Sequence, residues 1–292
     1  MSYLSIPSSM RHLLIGALLA CLFPLGLHAQ ALCTLASRER CESHLQALAE
    51  ASLADQDMGD LALLVGRRFM GIPYVSKTLE QGEAEQLVVE MEGMDCTTFL
   101  ENVVVFSRLI KRQRLTFEDF QLELEKLRYR DGLLQGYPSR LHYFTDWIHD
   151  NERKGIVRDV TRSLGGIPYT KVIDFMSAHR EAYRQLSEDQ YFAAMQQLEQ
   201  EINRRPRFFI PKDRIAAAES AIQDGDLIAI TTSIRGLDIV HVGLAIHQQG
   251  RLHLMHASTD QKEVVISAKP LAEYLMGNRS QSGVMVARLA IP

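Results

Sequence analysis

Apolar residues recur at helical spacing through most of the chain and switch to every second position near its end. Over residues 57–70, Leu61, Leu63, Leu64 and Val65 predict a helix that stops at Gly71-Ile72-Pro73, followed by a loop carrying Tyr74. A second helix is predicted over 95–112, with Phe99, Val103, Phe106 and Ile110 on one face and Cys96 in its first turn. Residues 117–205 read as mostly helical, broken at Gly132, at Gly136-Tyr137-Pro138 and at Gly165-Gly166-Ile167-Pro168. Period-two alternation then predicts strands over 226–231, 239–246, 251–256, 263–266 and 284–289. Helices first and an antiparallel sheet afterwards give an α+β fold, with no internal repeat or low-complexity segment.

The ends and the charge balance narrow the setting. Arg11 and His12 precede an apolar run over 13–23, followed by Pro24, Gly26 and small residues around Ala29 and Ala31, which reads as a cleavable export signal over residues 1–31. That run is too short for a membrane span, and no later segment is apolar enough to be one. Leu18-Leu19-Ala20-Cys21 loosely resembles a lipoprotein box, an alternative to simple secretion into the periplasm. Lys and Arg number 32 against 36 Asp and Glu, a net charge of −4, so there is no basic surplus to favour nucleic acid. In an exported chain Cys33 and Cys41 are close enough in sequence to pair, which leaves Cys96 as the odd thiol. The remainder, 32–292, is read as one catalytic domain.

A thiol becomes a nucleophile when its thiolate is favoured, and the unpaired N–H groups of a helix start favour negative charge. Asp95 is a good N-cap by type, although its own charge opposes thiolate formation. Alone, Cys96 is more readily a small buried apolar residue. The histidines change that reading. On the strand over 239–246, His241 shares a face with Gly243 and Ala245, small residues that let another backbone element come close, as a nucleophile helix would. If the following hairpin is centred on Gln248 and Gln249, His241 lies directly across from His256, and the pair supplies a base and its orienting group. Metal binding is the competing use, but His253 and His256 are three apart on a strand and point to opposite faces. No metal and no cofactor is expected.

At these residues the sequence resembles the NlpC-type branch of papain-like cysteine hydrolases of the cell wall. The resemblance rests on Asp95-Cys96-Thr97-Thr98-Phe99, on His241-Val242-Gly243-Leu244, on Gly225-Asp226-Leu227-Ile228 before the histidine, and on His256-Ala257-Ser258. It implies a papain-like core, in which the nucleophile helix packs on an antiparallel sheet. Roles follow for Cys96 as nucleophile, His241 as base, His256 as third member and Tyr74, in Gly71-Ile72-Pro73-Tyr74, as oxyanion donor. Compact members join cysteine and histidine by a short connection; here a helical insertion over about 111–221 intervenes. That block, with Phe175-Met176-Ser177-Ala178-His179 and Gly236-Leu237-Asp238, is similar to an N-acetylmuramoyl-L-alanine amidase-like branch, whose partners are peptidoglycan or muropeptide fragments. Tyr143 and Trp147, four apart on one helical face, are candidates for stacking on a sugar, and packing on the core is the alternative. Asp238, three residues before His241, is a candidate for a polar substrate group or a strand cap. A γ-D-glutamyl stem peptidase, a transferase of the same fold and a noncatalytic peptidoglycan-binding protein remain open.

Overall fold

The computed structural model describes Met1 and residues 31–292; residues 2–30 of the predicted leader, Cys21 among them, lie outside the described residues. In chain order the elements are β1 (Leu32–Cys33), α1 (Leu35–Glu50), α2 (Met58–Arg68), β2 (Val88–Val89), α3 (Cys96–Arg112), α4 (Phe117–Arg128) and α5 (Phe144–Arg153). They continue as β3 (Val157–Asp159), β4 (Ile167–Pro168), α6 (Phe175–Ala178), α7 (Asp189–Arg204), β5 (Phe208–Pro211) and α8 (Ile215–Ala218). The last third holds β6 (Leu227–Thr232), β7 (Ile239–Gln248), β8 (Arg251–Ser258), β9 (Glu263–Ile266), α9 (Leu271–Met276) and β10 (Gln281–Leu289).

The main sheet is antiparallel in the order β4-β5-β10-β6-β7-β8-β9, with β3 also paired to β10. Alternation along its strands builds two faces. Val242, Leu244, Ile246, Met255 and Met285 join a core with Phe99, Val103 and Phe106 of α3 and Leu61 and Val65 of α2. Ile228, Ile230, Ala245, Leu254 and Val284 form a second cluster with Leu271 and Leu275 of α9. The architecture is α+β, and residues 111–221 are less purely helical than their pattern predicts. β3, β4 and β5 arise there and extend the main sheet. β3 and β4, of three and two residues, are too short to show alternation, and β5 is apolar throughout.

α3 is the central helix. Its start is fixed by a capping box in which Asp95 accepts from the Thr98 backbone N–H at 2.8 Å and Thr98 Oγ1 accepts from the Asp95 N–H at 2.9 Å. From Thr98 to Ile110 every residue is buried, polar ones included. Buried charges need partners, and α4 supplies them: Arg128 Nε to Glu101 at 2.7 Å, and Glu123 to Arg108 Nε at 2.5 Å. These pairs register α4 against α3.

The β7–β8 hairpin differs from its predicted register. Gln249 (φ 51°) and Gly250 (φ 78°) form a two-residue turn with left-handed backbone at both positions, as a type I′ hairpin requires. Gln248 therefore pairs with Arg251, and Leu244 with Met255, two residues out of step with a loop centred on Gln248 and Gln249. An even shift keeps each side chain on its face and moves His256 from opposite His241 to beside Gly243. Cys33 and Cys41 are both free thiols. Cys41 is fully buried within α1, about 10 Å along the helix axis from the Thr34 cap that follows Cys33.

Candidate active site

Cys96 is the first residue of α3, where N–H groups have no intrahelical acceptor. Its thiol is nonetheless pushed up to about 11, first by burial and then by the Asp95 carboxylate; the backbone of Val242, the Thr97 hydroxyl and its own backbone act in the opposite sense. The sulfur thus lies at the backbone of Val242, next in the chain to His241. A bulge bends β7 just before that point: Ile230 pairs with His241 and Thr231 with Ile239, leaving Val240 out of the ladder and 37% exposed. Bulges beside functional sites re-aim the side chains that follow them.

His241 Nε2 and His256 Nδ1 are 2.6 Å apart, with ring planes at 88°. Burial holds His241 down at about 4; burial and the neighbouring His241 hold His256 down at about 3. Both rings are therefore neutral at pH 7. Gly243 belongs to the histidines and not to the helix. A Cβ there would lie 2.6 Å from the Met255 carbonyl oxygen and 3.0 Å from His256 Cβ, so the missing side chain is space for β8.

Tyr74 is clamped on both sides. Its N–H donates to the Lys262 carbonyl at 2.8 Å, and the next residue, Val75, donates to Met94, two residues before Cys96. Burial and the charges of Cys96 and Asp95 push its phenol up, which places Tyr74 within electrostatic reach of the thiol.

The three residues predicted to meet substrate are buried in contacts within the protein. Asp238 is 1% exposed and accepts from the Thr145 N–H and hydroxyl, each at 2.8 Å, tying the start of α5 to β7. The Tyr143 hydroxyl donates to Glu199 at 2.7 Å and accepts from the Met176 N–H at 2.8 Å. Trp147 stacks on Phe144 at 4.7 Å and donates to Glu101 at 3.2 Å. None has a free face for a sugar.

Two residues that no motif marked do join the site. Tyr274 of α9 meets His256 edge to face at 5.7 Å and responds to the charge of Cys96. Gln281, buried at the start of β10, lies beside the Tyr274 phenol and acts to lower it. α9 is six residues long, too short for a periodicity that could have revealed it. A cleft of about 540 Å³ opens beside Cys96, between Asp95 and Thr97 on one wall and Lys77, Arg140, Tyr183 and Gln185 on the others.

The family model described as AmiA-like, N-acetylmuramoyl-L-alanine amidase-like, matches residues 64–284. A structure of an N-acetylmuramoyl-L-alanine amidase from Bacteroides uniformis is similar at 37% identity, over 80% of this chain and 99% of that one, with a TM-score of 0.75. A Bacteroides fragilis protein provisionally described as a xylanase gives 36% identity over 78% and 100%, with a TM-score of 0.74. At 21% identity, a Legionella pneumophila protein shares the fold over 87% of this chain and 96% of that one, with a TM-score of 0.67. No curated protein sequence matches. The match over 64–284, on a fold that brings two histidines and a helix-capped cysteine to one end of the sheet, shows that the chain belongs to the AmiA-like, N-acetylmuramoyl-L-alanine amidase-like family.

Proposed function

We propose that this protein is an exported cysteine amidase of the cell wall, NlpC-type and papain-like in its core, that cleaves the amide between N-acetylmuramic acid and L-alanine. Family membership supports the cell-wall substrate. The charged and apolar leader sequence supports export. One observation carries the cysteine mechanism: Cys96 opens a capped helix at the backbone of Val242, beside a hydrogen-bonded histidine pair.

Because His241 Nε2 is engaged by His256 Nδ1, its Nδ1 is the nitrogen left to take the thiol proton. Thiol and imidazoles are neutral at rest, so proton transfer accompanies attack. The sulfur bonds to the lactyl carbonyl carbon, and Tyr74 and the Cys96 N–H donate to the developing oxyanion. The C–N bond breaks as His241 returns the proton to the leaving alanyl amine. Water, deprotonated by His241, then hydrolyses the thioester and restores the thiol.

The leaving amine has to lie beside His241, so the muramoyl group lies on the other side, where Asp95, Thr97 and the loop after Tyr74 open into the cleft. That cleft is walled by the long connection between cysteine and histidine, where additions set specificity. Glycoside hydrolysis would need two free carboxyls across one bond. The cleft's carboxylates have other partners: Asp95 with Thr98, Glu101 with Arg128 and Trp147, and Glu80 with Arg140.

Mass spectrometry of muropeptides digested with the wild type and with Cys96→Ala tests the reading. Free L-alanine N-termini on intact stems, lost in Cys96→Ala, are the expected result. Shortened stems would transfer the assignment to a γ-D-glutamyl peptidase. Equal activity in Cys96→Ala would end the cysteine mechanism.

A further inference from the structure

His256 presents Nδ1 to His241 Nε2 at 2.6 Å. Its exposure is 2%, so something encloses it. Three groups bear on His256 from the elements around it: His241 from β7, Asp260 from the turn after β8 and Tyr274 from α9; Cys96 of α3 lies at the backbone of Val242, next in the chain to His241. Of these, Tyr274 makes an edge-to-face ring contact with His256 at 5.7 Å and 72°. Gln281, at the start of β10, lies beside the Tyr274 phenol. Gln281 is 5% exposed, and its Oε1 has no hydrogen-bond partner among the described residues.

Building on the cysteine mechanism proposed above, we propose that Tyr274 is the positioning residue of the histidine pair. Its ring packs edge to face on His256 and, with Gln281 beside its phenol, keeps that imidazole turned with Nδ1 toward His241. Tyr274 touches no reacting atom; it acts through His256. The ring also keeps water from the pair, so its removal solvates both imidazoles and makes their protonated forms easier to reach.

The test is the pH profile of muropeptide cleavage by Tyr274→Leu, Tyr274→Phe and Gln281→Met. Tyr274→Leu should lower kcat about tenfold or more with KM little changed, and move the acid limb up by about one pH unit. Tyr274→Phe keeps the ring and should retain most of kcat. Gln281→Met removes the polar neighbour of the phenol and keeps an apolar chain of similar length. It keeps the fold if Tyr274→Leu does not, and should shift the limb in the same direction by less. A folded Tyr274→Leu with the wild-type kcat and acid limb would overturn the proposal, as would an unmoved limb in Gln281→Met where Tyr274→Leu fails to fold. These outcomes are distinct from failure of the cysteine mechanism, which shows as full activity in Cys96→Ala.

Discussion

Cys96 and Asp95 pull in opposite directions within one helical turn. The helix start favours a thiolate, while burial and the adjacent carboxylate disfavour it strongly enough to hold the thiol at about 11. Asp95→Asn keeps a capping side chain and removes the charge, so alkylation of Cys96 by iodoacetamide should reach half its maximal rate at a lower pH than in the wild type. The histidines bear on the acid side. His241 is held at about 4, below the 6.5 of an unfolded histidine, so the unfolded state binds more protons between those values. Stability is therefore fully present above pH 6.5 and lost as pH falls through 4, by at most about 1.4 kcal/mol per pH unit for this group. Urea titrations at pH 7, 5.5 and 4.5 should show that decline, and kcat/KM should fall on the same side as His241 gains its proton.

Among the elements, Gly243 shows how one missing side chain joins two strands. With a Cβ 2.6 Å from the Met255 carbonyl, Gly243→Ala forces β7 and β8 apart and should cost about 1–3 kcal/mol, read as a lower urea midpoint. The strands themselves are legible in the sequence. Alternation places β6 to β9 within two residues of their ends and recovers the last six residues of β10, and the apolar face of 95–112 marks α3 to within one residue. The pairing of His241 with His256 is legible only in part. Parity puts both on one face whatever the even register, but the turn at Gln249-Gly250 sets which residue lies opposite which. α1 went unread because its apolar and polar residues show little segregation around the helix. Tyr143 and Trp147 were legible as one helical face and not as a covered one. What covers a face, here Glu199 and Glu101 from distant segments, is a tertiary fact that spacing does not carry.

At the scale of the whole molecule, the long middle segment is both a wall of the site and part of the sheet. β5 pairs directly with β10, and β3 with the far end of the same strand. Excising residues 111–221 to mimic a compact relative should therefore yield insoluble protein, since it strips β10 of a neighbour and removes Arg128 and Glu123 from the buried ion pairs of α3. Changes confined to the cleft surface should be milder. Arg184→Ala, at an exposed position on the wall, is expected to raise KM for muropeptides by a factor of about 3–10 while leaving kcat near the wild-type value.

The clamp on Tyr74 bears on how the protein responds to heat. The loop before it is bonded into β9 through Gly71 to Val264, Val264 to Ile72 and Tyr74 to Lys262, and onto the start of α3 through Met94. Cys96, His241 and Tyr74 are thus tied, through their own or neighbouring backbone, to one continuous sheet. Warming has no seam along which to open the site ahead of the fold, so the temperature at which cleavage stops should coincide with the temperature at which the sheet melts, in a single transition.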